Sequence, residues 1–194
     1  MKKIILTLTI ILFTLSSYGQ DSKFFMGVGA GYATTGGDLN SDNNYKGGLH
    51  LNFLNLGLKF NETWGITANL ASAGHPIDGS DSAAGVGAFS AGPMISFPTG
   101  NATWEFKPQY AFSIAAVYRG DDAAFLGLED LNLRGSGFVI GNSIVMGAEK
   151  GFTWSIDFDY LISKFDELEL NGITIDDDSK YNSLRLGVGV RYNF

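Results

Sequence analysis

Large apolar residues alternate with polar or small residues along several stretches of the chain. The clearest stretch is 103–114, where one parity holds Trp104, Phe106, Pro108, Tyr110, Phe112 and Ile114, and the other holds Glu105, Lys107, Gln109, Ala111 and Ser113. Successive side chains of a strand point to opposite faces, so this period predicts a β-strand. In a soluble sheet the apolar face would point into a core, whereas in a membrane barrel it faces lipid and the polar residues face a lumen.

Eight such segments are present. The alternation recurs clearly at 24–33, 152–162 and 184–194, and less regularly at 45–60, 64–70, 85–97 and 136–148. A slip of phase at Phe53 and Leu54 predicts a β-bulge. Pro93 and Pro108 both lie in mid-strand and are expected to face each other, with missing ladder bonds or a bulge there, because proline donates no hydrogen bond. The chain is therefore predicted to be all-β.

The connections between these segments alternate in length. Those at 61–63, 98–102 and 149–151 are short, and those at 34–44, 73–84, 117–135 and 164–180 are long. Short periplasmic turns and long extracellular loops are typical of bacterial outer-membrane barrels. The predicted architecture is an eight-stranded, antiparallel, up-and-down transmembrane β-barrel with both termini in the periplasm.

Three features indicate which face of the sheet is in contact with water and which with lipid. The tryptophans Trp64, Trp104 and Trp154 each follow a short turn, which predicts an aromatic girdle at one rim. The opposite parity carries charges of both signs, which predicts a polar lumen network of Glu105, Lys107, Gln109, Asp157, Asp159, Arg185 and Arg191. Glycines of the first and last strands share this parity and leave space inside the barrel. Glu105, Lys107 and Gln109 of the fifth strand, on the opposite side, project into that space, so the narrow lumen is predicted to be plugged. A soluble ligand-binding barrel, the main alternative, would need an apolar interior.

The N-terminal stretch MKKIILTLTIILFTLSSYGQ has a basic start, an apolar run and small residues, as secretory signal peptides do. Residues 1–19 are predicted to be a signal peptide cut before Gln20, and 20–194 to be the barrel domain. The apolar run from Ile4 to Leu15 is shorter than the roughly 20 residues of a transmembrane helix. An uncleaved anchor is the alternative.

Composition excludes several classes of function. The 194 residues carry a formal net charge of −7 with no basic cluster, so nucleic acid is not expected as a partner. Cysteine is absent, which excludes disulfides, thiolate metal sites and cysteine nucleophiles. No cofactor and no bound metal are predicted.

The combination of signal peptide, eight amphipathic strands and alternating loops resembles the small outer-membrane β-barrel family that includes the OmpA membrane domain, OmpX and OmpW. The terminal VGVRYNF, with Val190, Tyr192 and Phe194 on one parity, is similar to the C-terminal signal read by the barrel-assembly machinery in that family. The resemblance implies residence in the cell outer membrane and contact with its lipid, including lipopolysaccharide. A monomer is favoured. No periplasmic cell-wall-binding domain is expected after the last strand.

Few residues suggest catalysis. His75, in AGHPIDGSDS, would lie near the outer rim beside Asp78 and Asp81. A lipid-modifying enzyme could use such a histidine, but no nucleophile motif accompanies it, and a histidine in a polar loop is the favoured interpretation. His50 is expected to form hydrogen bonds in the lumen. Glu105 and Lys107, close together on one face, favour a structural ion network over catalytic carboxylates.

The outer loops are strongly acidic. The stretch DLNSDNN at 38–44 begins like a calcium loop but has Asn43 in place of the glycine and Leu49 in place of the final glutamate, so the EF-hand match fails. Divalent ions bridging the acids to lipopolysaccharide phosphates remain an alternative to simple solvated loops. Residues 123–133 are mildly amphipathic and are interpreted as a short helix or a partner surface. The leading functional hypothesis is non-enzymatic, in membrane integrity or surface interaction through these loops. A narrow porin-like channel and a lipid-modifying enzyme are the alternatives.

Overall fold

The computed structural model describes residues 23–38, 45–79, 81, 83–119, 132–170 and 173–194, which are almost entirely strand. The strands are β1 (Lys23–Ala33), β2 (Gly36–Gly37), β3 (Gly48–Lys59), β4 (Trp64–Pro76), β5 (Ala83–Thr99), β6 (Ala102–Arg119), β7 (Asn132–Gly147), β8 (Gly151–Leu170), β9 (Ile173–Asp176) and β10 (Lys180–Asn193). Among the described residues no helix is long and apolar enough to cross a membrane.

Eight of these strands close into a ring in the order β1, β3, β4, β5, β6, β7, β8 and β10, and every neighbouring pair is antiparallel. The ring closes where β10 pairs with both β8 and β1, for example at Val190 opposite Val28. Consecutive long strands are adjacent in space, so the prediction of an eight-stranded up-and-down barrel is confirmed. Of the two short strands, β2 pairs with β10 and β9 pairs with β8.

The outer surface carries the apolar parity of the strands. Phe152 is 71% exposed and Val188 62% exposed, while the intervening Thr153 and Arg191 are buried inside. Such an apolar exterior around a partly polar interior is the inverse of a soluble barrel. The prediction that lipid lies outside is therefore consistent with how the side chains are distributed.

Two predicted irregularities are present. Pairing between β3 and β4 shifts between Asn52 and Leu54, which confirms the predicted bulge. Pairing between β5 and β6 stops after the pair of Ala91 and Tyr110 and resumes at Ile95 and Phe106. The gap spans the level of Pro93 and Pro108, so the predicted interruption of the ladder is confirmed.

A further bulge was not anticipated and corrects the predicted face of Ile114. The β5–β6 register shifts between Phe89 and Ser90, at the level of Phe112 and Ser113 on β6. Beyond this point Ser113 is exposed and Ile114 is only 1% exposed. Because one extra residue reverses the faces of all that follow, Ile114 lies in the lumen instead of facing lipid.

The strands also run further than predicted at the end of the long connections. We call this end extracellular and the end of the short turns periplasmic, as the sequence predicts. Segments 73–84, 117–135 and 164–180, expected as loops, contain the ends of β4, β5, β6, β7, β8 and β10 and all of β9. A tilted strand crosses a bilayer with about 9–11 residues, whereas β8 has 20. The end of β8 towards Leu170, where β9 pairs with it, therefore extends beyond the length predicted to span the membrane.

Candidate functional site

An ion cluster fills the periplasmic part of the lumen. The carboxylate of Glu105 on β6 is fully buried. It accepts hydrogen bonds from Arg191 Nη1 at 2.8 Å and Nη2 at 2.9 Å, and it forms a salt bridge with Lys59 Nζ at 2.8 Å. The Arg191 guanidinium also lies 4.1 Å above the ring of Phe25. These contacts bring together strands β1, β3, β6 and β10, so the cluster spans the barrel interior.

A second polar layer adjoins the first. Lys107 Nζ donates to Ser143 Oγ, which in turn donates to Asp157 Oδ1. Ser155 Oγ donates to the other oxygen of Asp157 at 2.8 Å. The polar network predicted from parity thus has Lys107 and Asp157 in one chain of contacts. Ser143, which the sequence alone did not single out, bridges them.

Gln109 joins a separate set of amides and hydroxyls. Its Oε1 accepts from Asn69 Nδ2 at 2.9 Å and from Ser90 Oγ at 2.8 Å. Asn69 and Ser90 lie opposite each other on β4 and β5. The three side chains are buried and tie β6 to β4 across the interior.

Arg185 is buried without a close counter-ion. Its residue is 3% exposed, and among the described residues its Nε and Nη2 atoms have no hydrogen-bond partner. Asp159 lies directly opposite on β8, yet no described carboxylate comes within 4.0 Å of the guanidinium. The predicted lumen network is therefore not one continuous set of ion pairs.

Both histidines lie in the lumen, which corrects the expectation for His75. His75 is on β4, not in a loop, and is only 1% exposed. Its Nδ1 donates to the carbonyl of Lys46 at 3.2 Å, so Nε2 accepts from the Tyr181 hydroxyl at 2.7 Å. His50 Nδ1 donates to the carbonyl of Ser72 at 3.0 Å, a lumen hydrogen bond as expected.

The extracellular half of the lumen is apolar on the side of β5 to β8 and at the start of β10, where a polar interior was expected. Its buried residues, called here the apolar layer, are Val86, Ala88, Ala111, Ile114, Ala116, Leu133, Val139, Leu161, Phe165 and Tyr181. Phe165, Leu161 and Tyr181 are fully buried. The lumen is thus divided into a polar periplasmic half and a largely apolar extracellular half, and side chains fill both.

A cavity of about 1050 Å³ opens at the periplasmic end. Lys59, Arg191 and Phe25 line it together with residues of the three short turns. At its rim Lys23 Nζ donates to Glu149 at 2.9 Å, and this hydrogen bond holds the pKa of the exposed Glu149 carboxyl below its usual value. Two members of the ion cluster around Glu105, Lys59 and Arg191, form part of its wall.

Aromatic side chains surround the periplasmic rim. Trp64, Trp104 and Trp154 are 51%, 43% and 62% exposed on the outer surface, where an aromatic girdle was predicted. The C-terminal residues join the same belt, because Tyr192 and Phe194 both point outward and the Phe194 ring lies 5.3 Å from that of Phe24. Val190, on the same parity, is partly exposed.

At the extracellular end, residues 167–170 of β8 pair with β9 to form a short ribbon, called here the β8–β9 ribbon. One face carries Leu168, which packs against the apolar layer, with Ile173 and Ile175, which are 65% and 51% exposed. The other face carries Glu167, Glu169, Thr174 and Asp176. Arg134 Nη2 pairs with Glu169 Oε2 at 3.1 Å. The ribbon is therefore amphipathic, with acids on one face and isoleucines on the other.

Several predictions concern loop residues. Some of the predicted acidic loop residues lie outside the described residues, namely Asp42, Asp121, Asp122, Glu129 and Asp130. Of the amphipathic segment 123–133, only its last two residues are described. Asp78 is described, and its exposed carboxylate accepts from Lys46 Nζ at 2.7 Å. Within the described ranges, no group of three or more histidine and acidic side chains is placed to hold a metal ion.

Comparison with known proteins identifies the fold. No protein-family model and no curated protein matches the chain, but solved structures do. Neisserial surface protein A is 12% identical, with a TM-score of 0.60 over 88% of this chain and 97% of that one. Ail of Yersinia pestis, in complex with the heparin analogue sucrose octasulfate, is 16% identical, with a TM-score of 0.55 over 89% and 100%. A major outer membrane protein from Thermus thermophilus is 11% identical, with a TM-score of 0.53 over 90% and 100%.

The matches cover nearly the whole of each protein. The Neisserial protein is described as a surface protein and the Thermus protein as an outer membrane protein. Identities this low carry the fold and not the activity. Taken with the apolar exterior, the match in fold places the protein in the cell outer membrane. The chain has the eight-stranded fold of the small outer-membrane β-barrel proteins.

Proposed function

We propose that the protein is a surface-interaction barrel that binds partners at its extracellular end and does not conduct solutes. The observation that carries the proposal is the filled lumen, in which the Glu105 ion cluster is followed by the apolar layer. An eight-stranded barrel has an interior that side chains can fill completely. The barrel then serves as a rigid membrane anchor for what it presents outside.

The surface that it presents is the β8–β9 ribbon. Glu167, Glu169 and Asp176 on one face are followed by Asp177 and Asp178 in the next turn, whereas Ile173 and Ile175 are exposed on the other. Exposed acids of one sign steer oppositely charged partners, and exposed isoleucines add apolar contact area. The surface therefore favours basic partners that also carry apolar groups.

The same charges argue against polyanions. The Ail relative was solved with a heparin analogue, but an acidic ribbon repels a sulfated sugar unless cations bridge the two. The preference for basic over sulfated partners is the feature of the proposal that an experiment can address directly.

Binding of the full barrel in nanodiscs to an immobilised lysine-rich peptide and to immobilised heparin tests this. We expect salt-sensitive binding to the peptide, weakened about tenfold in Glu167→Lys/Asp176→Lys. Glu62→Lys, which reverses one charge in an exposed periplasmic turn, is compared with the single variants Glu167→Lys and Asp176→Lys as their matched control and should bind as the wild type does. Preferential binding to heparin, or equal losses in Glu62→Lys and these single variants, would overturn the proposal.

A narrow pore is the second candidate. The polar periplasmic half of the lumen and the cavity of about 1050 Å³ at that end favour it, because water and ions can approach as far as Lys59 and Arg191. The apolar layer stands against it. Conductance measurements, described below, distinguish the two.

A further inference from the structure

A groove crosses the lipid-facing surface near the periplasmic end, on β1, β3, β4, β5 and β6. Its volume is about 580 Å³. Ala68, Ala91 and Gly92 lie at its centre, and larger side chains that include Phe24, Ile66 and Phe112 form its sides. The groove is separate from the lumen and from the β8–β9 ribbon, and the proposed function does not use it.

The groove arises from short residues at one level of the sheet. Ala68 and Ala91 face each other on β4 and β5, while Leu56 precedes them and Tyr110 follows them at the same level. Beside Ala91 the β5–β6 ladder is interrupted. A Cβ added at Gly92 would lie 2.1 Å from the carbonyl oxygen of Pro108, so the backbones of β5 and β6 approach closely there. The two alanines, together with the close approach of β5 and β6 at Gly92, thus leave a concave region in an apolar surface that otherwise carries large side chains.

The residues that line the groove favour a hydrocarbon ligand. The one polar side chain in it, Thr67, donates its hydroxyl to the carbonyl of Leu56 at 2.9 Å and so has its donor already used. If one methylene occupies roughly the volume of one water molecule, about 30 Å³, the groove has room for a single fatty-acyl chain. A concave apolar surface holds such a chain against more atoms than a convex one does, and dispersion contacts add accordingly.

The position of the groove indicates which leaflet supplies the chain. Ile66 lies two residues from Trp64, which begins β4 at the aromatic girdle, and Leu58 is paired with Ile66 just before the turn at 60–63. The groove therefore lies in the periplasmic half of the membrane, where the lipid is phospholipid. Among the described residues the indole N–H of Trp64 has no acceptor, whereas that of Trp104 donates to Asn142 Oδ1 at 3.2 Å. Tryptophan prefers this interfacial depth, and Trp64 has a free donor for a lipid phosphate or ester.

We propose that the groove retains one phospholipid of the periplasmic leaflet, with an acyl chain over Ala68 and Ala91 and the headgroup beside Trp64. The lipid is a bound ligand that exchanges more slowly than the lipid around the rest of the barrel. It also covers the interrupted ladder between β5 and β6 on the membrane side.

Native mass spectrometry tests the proposal. The full protein is reconstituted in nanodiscs that contain both phosphatidylethanolamine and lipopolysaccharide and is then released into detergent. The lipids that remain bound are identified and counted. We expect one retained lipid for the wild type and about tenfold weaker retention in Ala91→Leu and in Ala68→Leu, which fill the groove. Ala30→Leu, on the outer surface of β1 away from the groove, should retain the lipid. Two independent filling variants guard against one that fails to fold.

A second measurement locates the lipid. In a Trp104→Phe/Trp154→Phe background, phosphatidylethanolamine with a brominated acyl chain should quench Trp64 fluorescence in the wild-type groove and less in Ala91→Leu. Equal retention and equal quenching in filled and control variants would overturn the proposal. So would retention of lipopolysaccharide in place of phospholipid, or a dimer that Ala91→Leu dissociates, because the groove would then belong to another occupant.

Discussion

Arg191 and Glu105 form a two-pronged ion pair across the lumen, with Nη1 2.8 Å from Oε2 and Nη2 2.9 Å from Oε1. Their strands, β10 and β6, are separated in the ring by β7 and β8, so the contact passes through the interior and not along the sheet. Paired arginine–carboxylate geometry of this kind is strong and specific. It closes the periplasmic half of the barrel at one defined level.

Loss of one partner of this pair should destabilise the barrel strongly. Arg191→Met leaves the buried Glu105 carboxylate with Lys59 as its remaining ion-pair partner among the described residues. Breaking a buried pair costs about 3–5 kcal/mol. Urea unfolding in lipid, followed by tryptophan fluorescence, measures the change. In Glu105→Gln/Arg191→Met the loss should be smaller than the sum of the two single losses, and additive losses would show that the pair is not coupled.

Arg185→Met should behave in the opposite way. Among the described residues, the Nε and Nη2 atoms of the buried Arg185 have no hydrogen-bond partner and no carboxylate lies within 4.0 Å of its guanidinium. Its burial is therefore not compensated as that of Arg191 is. Replacing it with an apolar side chain of similar length should leave the free energy of unfolding unchanged or raise it. A loss as large as that of Arg191→Met would mean that a partner satisfies the guanidinium in the membrane.

Conductance should stay absent when only the polar half is opened. Glu105→Ala/Lys107→Ala removes two of the charged side chains from the lumen, but the apolar layer, with Leu161 and Phe165 fully buried, remains in place. We expect the wild type and this variant to be silent in planar bilayers. A further Leu161→Ala/Phe165→Ala change should be needed before steady currents appear. Currents in the wild type would favour the narrow pore instead.

Two glycines of β5 should respond differently to alanine. At Gly92 an added Cβ would lie 2.1 Å from the Pro108 carbonyl oxygen, whereas at Gly85 nothing lies within 4 Å. Gly92→Ala should cost about 1–3 kcal/mol of stability, as overpacking does. Gly85→Ala should be neutral or slightly stabilising, because it restricts the unfolded chain. Unfolding midpoints of the two variants check this, and equal midpoints would contradict the close approach of β5 and β6.

The last residue should matter more for assembly than for stability. Phe194 packs its ring against Phe24 and Tyr192, and its backbone N–H donates to the carbonyl of Phe24 at 2.9 Å. If the C-terminal strand is the signal that the assembly machinery reads, Phe194→Ala should lower the fraction inserted in cells. Val188→Ala, also exposed on β10, is the control. Equal insertion of the two variants would argue against a role of Phe194 as a signal.

Parity along the chain predicted the ring, the outward aromatics and the inward positions of Glu105 and Arg191. It did not predict which side chains form ion pairs. The contacts of Glu105 with Lys59 and Arg191 depend on the stagger of strands that are distant in sequence. Ile114 was assigned to the wrong face because the bulge at Phe112 and Ser113 is followed by Ala115 and Ala116, which fit either face. The β8–β9 ribbon was read as loop on account of its acids, although Glu167 and Glu169 alternate with leucines.

The pairing of β1 with β10 has a consequence for how the protein is made. Nine residue pairs, from Phe25 with Asn193 to Ala33 with Arg185, join the two ends of the described chain. Contacts so distant in sequence form slowly, because a long loop must close first. Until β10 arrives, β1 and β8 both expose an unpaired edge that can pair with another chain. A nascent chain therefore needs protection from other chains during export. If addition of the last strand is delayed, aggregation should compete with closure of the barrel.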